Sequence, residues 1–200
     1  SKKFINNKNL KISDFSEHQH LDFKNVDAQK MEFKENTFDY VIASNMIHHI
    51  PYPIKLFNET HRILKKNGKL IIQEAYCSVL LQLIIILMKH EGFDFTVDPW
   101  SKTAPVTDDK NVWAGNIAVS NMIFDDKKNF EKKIGNLFKI EHDKIYESLL
   151  FLNSGGVHST TFYIPMNLTM LKILDGIDNL LTKFFPKIFA TGRQIVLRKI

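Results

Sequence analysis

Apolar and polar positions alternate in two ways along this chain, and the switch between them lays out its elements. "LKISDF", Leu10 to Phe15, has a strand's alternation and ends close to a carboxylate, Asp14. "LDFKNVDA" follows with Leu21, Phe23 and Val26 apolar, and closes on Asp27 and Ala28. "FDYVIASN" is a near-continuous apolar run, which predicts a strand covered on both faces. Pro51 and Pro53 then mark a helix start, where a missing N–H costs little. Leu56, Phe57, Thr60, Ile63 and Leu64 share one face at helical spacing, and Glu59 and Arg62 sit three apart, close enough to pair or to reach a neighbouring loop. Lys65-Lys66-Asn67-Gly68 predicts the stop, with cations at the helix's negative end and a glycine for the left-handed turn. "KLIIQEAY" predicts the next buried strand.

Beyond Tyr76 the rhythm changes. Val79 to His90 predicts a helix, and Glu91 to Asn121 an irregular, aromatic, proline-containing stretch suited to a lid or binding segment. Phe130 to Leu137 predicts a short helix, Phe138 to Leu152 a strand, Asn153 to Gly156 a turn, Pro165 to Phe185 a helix, and "GRQIVLRKI" a closing strand. Strand, strand, strand, helix, strand with short polar links is the order of a mostly parallel α/β sheet.

Composition narrows the function more than the fold. Two hundred residues suit one domain with a real core. The net charge of +5 is spread along the chain, whereas a nucleic-acid footprint needs a clustered basic face, so nucleic acid is set aside as a partner. One cysteine, Cys77, allows no intrachain disulfide, and no charged-then-apolar leader opens the sequence; together they point to the cytoplasm. The longest apolar run, "VLLQLIIILM", falls short of the ~20 residues of a membrane span and reads as a buried or interfacial helix, which leaves peripheral membrane contact open. The first residue is Ser1, not methionine, which points to a fragment.

Open parallel sheets bind ligands beyond the carboxyl ends of their strands. The expected strand ends carry Asp14, Asp27-Ala28, Ser44-Asn45 and Glu74. A carboxylate there can accept from both hydroxyls of a ribose, and a second beside free backbone can hold an adenine edge. Two such acids suit an adenosine without phosphates, since a nucleoside diphosphate calls for glycines and a helix N-terminus.

The stretch "VDAQKMEFKENTFDYVIASNMIHHIPYPIKLFNETHRILKKNGKLIIQEAY" resembles the middle of a class I S-adenosylmethionine-dependent methyltransferase of the type 11, small-molecule kind. The resemblance rests on Asp27-Ala28, Phe33, Phe38-Asp39, His48-His49, Glu59, Arg62 and Leu64-Lys65-Lys66-Asn67-Gly68, in order over about fifty residues. It implies a Rossmann-like fold whose last strands form an antiparallel pair, Phe138–Leu152 with Arg193–Ile200, and a variable cap over residues 77–137. It implies S-adenosyl-L-methionine as cofactor, with Asp14 on the ribose, Asp27 and Ala28 at the adenine, and Ser44 with Asn45 along the methionine part. The acceptor would be a small or lipid-like molecule. The family's acidic residue followed by G-x-G-x-G is absent, because Gly68 is the first glycine; the resemblance therefore implies a first strand, loop and helix upstream of Ser1.

His48 and His49 are the candidate catalytic residues, as a general base near the methyl; a packing and helix-entry role stands beside that reading. No Cys/His/Asp spacing predicts a metal, and His18-x-His20-x-Asp22 reads as a solvated turn. Two other functions remain: an inactive methyltransferase-like binding module, and a nicotinamide oxidoreductase, which the lack of G-x-G-x-x-G disfavours.

Overall fold

A computed structural model describes residues 7–89, 91–111, 113–153 and 163–200. Its centre is a four-stranded sheet in the order β1-β2-β4-β3, built from β1 (Phe38–Ser44), β2 (Leu64–Ala75), β3 (Phe138–Tyr146) and β4 (Gly192–Lys199). β1 and β2 run parallel, whereas β4 pairs antiparallel with both β2 and β3. The α/β class is as the pattern implies, and the antiparallel C-terminal pair is as the resemblance implies. That pair is shorter than expected, since residues after Tyr146 leave the sheet and form helix α5, Leu149–Asn153.

Period-two burial makes β2 and β4 the core strands. Leu64, Leu70, Ile72 and Glu74 are buried along β2, as are Arg193, Ile195 and Leu197 along β4. Helix α1 (Pro53–Ile63) turns Ile54, Leu56, Phe57, Thr60 and Ile63 inward. Phe57 stacks near Trp100 and meets Phe124 and Phe138 edge-on, each at 6.3 to 6.4 Å between ring centroids. Helices α3 (Val119–Phe124) and α4 (Lys127–Ile134) complete this cluster with Ile123, Phe130 and Ile134. A second cluster joins α2 (Val79–Met88) to Ile117 and Ala118. Helices α6 (Leu168–Phe184) and α7 (Pro186–Phe189) lead back to β4.

Several expectations change. Residues 10–15 and 21–28 are not ladders; they meet in a single parallel bridge, Ser13 to Phe23. Both segments are largely exposed, so little apolar burial stabilises a longer pairing. β1 is an edge strand, and Tyr40 and Ile42 are exposed, so it is covered on one face among the described residues. α1 stops at Ile63, before the predicted signal, because the chain enters β2 at Leu64. The left-handed residue there is Asn67 (φ 62°). Gly68 serves closeness instead: a Cβ on it would lie 2.8 Å from the Lys65 carbonyl. Trp100 is core, against Phe57 and Phe130. The predicted turn after Asn153 lies outside the described residues, while Asn153 itself ends α5.

Candidate functional site

Ser44 and Gln73 are partners in the parallel register, so the carboxyl ends of β1 and β2 lie side by side. Asn45, at φ 47°, turns the chain off the sheet while its N–H donates to the Gln73 carbonyl (2.8 Å). Ser44 and Asn45 are both exposed at this corner.

The turn after them is held by Glu74, whose side chain is fully buried. Its Oε1 accepts from the N–H groups of Met46 (2.6 Å) and Ile47 (2.9 Å), and its Oε2 lies 2.5 Å from His48 Nδ1. His48 Nε2 faces Glu91 Oε2 at 3.2 Å, and His49 Nε2 faces Glu91 Oε1 at 3.5 Å. Burial alone would lower the His48 pKa, but the Glu74 and Glu91 carboxylates outweigh it and push it up to about 10. His49 Nδ1 lies 3.1 Å from the Ala114 carbonyl. Both nitrogens of each ring are therefore engaged, and neither histidine presents an unoccupied base to an acceptor in this arrangement.

The two candidate cofactor acids sit in turns. Asp14 Oδ1 accepts from the Ser16 N–H and hydroxyl, both at 2.8 Å. Partial burial raises its pKa, but these hydrogen bonds outweigh that and hold the carboxyl below its ordinary value. The Asp14 carbonyl accepts from Val26 N–H (3.0 Å), which brings Asp14 next to Asp27. Asp27 Oδ1 accepts from Gln29 N–H (2.8 Å), and Gln29 Oε1 accepts from Tyr52 N–H at the entry to α1 (3.1 Å). The Phe15 N–H adds a further hydrogen bond to the Asp14 carboxylate, whereas the second oxygen of Asp27 accepts none among the described residues, leaving an acceptor for a hydroxyl or an amine. Ala28 packs on the main core cluster, as do Met46 and Ile50. Below this, Arg62 ties the segment to α1, donating to the carbonyls of Met31 and Phe33 (both 2.7 Å) and pairing with Glu59. Asp14 and Asp27 thus form one group and Ser44, Asn45, His48 and His49 another, with no described hydrogen bond joining the two.

Beyond the end of β2 lies a cleft of about 270 Å³, lined among others by Tyr76, Cys77, Phe95, Asn121, Asp125 and Lys187. That volume falls just below the ~300–1,000 Å³ of small-molecule sites. Its floor is organised by Arg193, 2% exposed, which donates to both oxygens of Asp143 (2.9 Å each), to Asp125 (2.5 Å) and to the Phe124 carbonyl (3.1 Å). Burial, with the Asp125 charge, pushes the Tyr76 hydroxyl up to about 12, and burial does the same to the Cys77 thiol.

Of the sequence candidates, the histidine pair and Glu74 come together. Glu91, Asn116, Asp125 and Arg193 were not legible as site residues, because their partners are remote along the chain. Asn116 donates its N–H to the His48 carbonyl and holds Asp94 and Val106 with its side chain. Within the aromatic stretch after Glu91, Phe95 lines the cleft, whereas Trp113 is 72% exposed. His18 and His20 stack on one another in an exposed turn.

Comparison with known proteins gives the arrangement a context. A family model described as a methyltransferase domain matches residues 1–72. Phosphoethanolamine N-methyltransferase 2 of Caenorhabditis elegans is 44% identical over 47 residues, 24% of this chain and 11% of that protein. The ubiquinone/menaquinone biosynthesis C-methyltransferase UbiE of Ruegeria sp. is 39% identical over 54 residues, 27% of this chain and 22% of that protein. These matches span less than a quarter of either relative. A solved SAM-dependent methyltransferase from Archaeoglobus fulgidus overlays 94% of this chain and 74% of its own, at 13% identity and a TM-score of 0.48, a likeness too weak to argue from.

Proposed function

We propose that the protein, whose residues 1–72 match a family model described as a methyltransferase domain, is an S-adenosylmethionine-dependent methyltransferase that transfers a methyl group to a small or lipid-like acceptor. The match of residues 1–72 carries this reading, because it contains every candidate cofactor residue. The bound cofactor supplies an electrophilic methyl on a sulfonium. The chain's own residues hold and orient. Asp14 takes the ribose hydroxyls and Asp27, through its uncommitted carboxylate oxygen, the adenine edge. Ala28 gives the base an apolar flank, and Ser44 and Asn45 line the methionine end where the backbone leaves β1.

Such a transfer needs in-line placement and exclusion of water, not a covalent intermediate, so engaged histidines are no obstacle. His48 and His49 act by shaping the turn between cofactor and acceptor. The acceptor occupies the cleft by Tyr76 and Phe95, and residues 77–137 serve as its cap. Apolar side chains exposed on α2 and α6 (Leu83, Ile86, Leu87, Ile173, Leu180, Phe184) support a lipid-like acceptor met at a membrane surface. Among the described residues no helix is long and apolar enough to cross a membrane. The relatives methylate different atoms by name, nitrogen in one and carbon in the other.

Titration calorimetry of the longest native form of the protein with S-adenosylhomocysteine tests this. Saturable binding in the micromolar range, about −8 kcal/mol, weakened at least tenfold by Asp27→Ala, is the expected result. Absence of binding, or binding indifferent to both Asp27→Ala and Asp14→Ala, refutes the reading.

A further inference from the structure

His48 and His49 lie in the turn that leaves β1, and Glu91 lies more than forty residues further on. Their potential ligand atoms all fall within 4.8 Å of one another. We propose that His48, His49 and Glu91 bind a divalent transition-metal ion, for which Zn²⁺ is the natural probe.

The argument begins with the nitrogens that face away from Glu91. His48 Nδ1 meets the Glu74 carboxylate at 2.5 Å and His49 Nδ1 meets the Ala114 carbonyl at 3.1 Å. An ionised carboxylate and a carbonyl can only accept, so each Nδ1 carries its hydrogen. In a neutral ring Nε2 is then the lone pair. Both Nε2 atoms converge on the two oxygens of Glu91, at 3.2 and 3.5 Å. Three electron-pair donors pointed at one another call for positive charge between them. Two protons supply it, and so does one divalent cation, with the same net charge beside the two carboxylates.

Distances and surroundings favour the cation. Tetrahedral Zn²⁺ with bonds near 2.0–2.2 Å holds its ligands roughly 3.3–3.6 Å apart, and the separations of His48 Nε2 from Glu91 Oε2 (3.2 Å) and of His49 Nε2 from Glu91 Oε1 (3.5 Å) lie close to that spacing, each histidine against its own carboxylate oxygen. A ligating histidine whose other N–H is fixed by a carboxylate or a backbone carbonyl is the arrangement that orients metal sites, and both versions occur here. Imidazole nitrogen with carboxylate suits zinc and its first-row neighbours over magnesium or calcium.

The fold also reserves room for Glu91. A Cβ at Gly115 would lie 2.8 Å from Glu91 Oε2, so glycine at that position admits the carboxylate. Asn116 N–H on the His48 carbonyl (2.9 Å) fastens this loop to the turn, and Ile117 N–H on the Gly92 carbonyl (3.1 Å) ties the loop's two arms together. With three protein ligands, the fourth position is left for water or for an acceptor atom. His49 is the way in, with 24% of its side chain exposed against 7% for His48.

The test is calorimetry of Zn²⁺ binding to tag-free protein stripped with a chelator, without S-adenosylhomocysteine, so that its failure leaves the cofactor reading untouched. One equivalent should bind, with affinity falling at least tenfold in Glu91→Gln and in His49→Ala, and roughly 10- to 100-fold in Glu74→Gln, which removes the charge orienting His48. His18→Ala should bind as the wild type does. Since Glu74→Gln could disturb folding, Co²⁺ on the wild-type chain gives a second readout: visible bands of a four-coordinate site, displaced by one equivalent of Zn²⁺. Binding below half an equivalent overturns the proposal, as does binding that survives both Glu91→Gln and His49→Ala, and as does a Co²⁺ spectrum of six-coordinate, water-like character.

Discussion

Replacing Arg193 by methionine keeps the side chain's length and removes the charge on which three parts of the fold converge. Arg193 lies in β4, Asp143 in the neighbouring β3, and Asp125 with the Phe124 carbonyl at the end of α3. Its guanidinium also lies 5.8 Å over the Tyr76 ring and 5.5 Å over Phe124. Removing one partner of a buried ion pair costs about 3–5 kcal/mol, chiefly because the remaining charge is stranded. Here the low end applies. Asp143 keeps Lys127 and the Asp125 side chain is 38% exposed, so water and a second cation relieve part of the loss.

About 3 kcal/mol corresponds to roughly 6–12 °C in melting temperature for a chain of this size. Urea unfolding followed by tryptophan fluorescence measures it, because Trp100 is buried in the core. The pH dependence supplies a second check. Burial raises the Asp143 carboxyl, but Arg193 and Lys127 outweigh it and hold it below its ordinary value. A group depressed in the folded state contributes stability above its unfolded pKa of 3.8 and loses it as pH falls through the folded value. The gap between wild type and Arg193→Met should thus be widest near neutrality and narrow in acid. Lys65→Met, which breaks an exposed pair with Asp39, should leave the midpoint close to wild type. A neutral-pH loss under about 1 kcal/mol, or a gap that widens in acid, refutes the account of Arg193 as the brace beneath the cleft.

Two further outcomes follow from buried groups. Asp178 on α6 is 2% exposed and accepts from the N–H groups of Ser148, Leu149 and Leu150, capping α5. Asp178→Ala should cost about 1–3 kcal/mol by thermal melt, with Asp178→Asn losing less because an amide oxygen still accepts. Cys77, its thiol pushed up to about 12 by burial, should be about one part in ten thousand thiolate at pH 8. Its modification by a thiol reagent should therefore be slow in the native protein and fast in urea; equal rates would contradict the burial.

By itself the amino-acid order determined whatever depends on neighbours within a turn or two. Helices α1, α2 and α6 lie where apolar spacing and prolines put them, α4 begins three residues ahead of its predicted start, and β2 and β4 contain their apolar runs, although β2 already begins at Leu64. Glu59 and Arg62, three residues apart, pair as their spacing allows. The stretch carrying Asp27, Ser44 and the histidines was recognisable because its residues are consecutive along one chain segment. Tertiary structure decided the rest. Residues 10–28 alternate like strands yet form one bridge, since a strand exists only with a partner and a buried face. The use of His48 and His49 was equally undetermined, because Glu91 and the Ala114 carbonyl arrive from far along the chain. Arg193 and Asp125, 68 residues apart, show the same limit: pairing among buried charges depends on where the backbone returns, and periodicity carries no information about that.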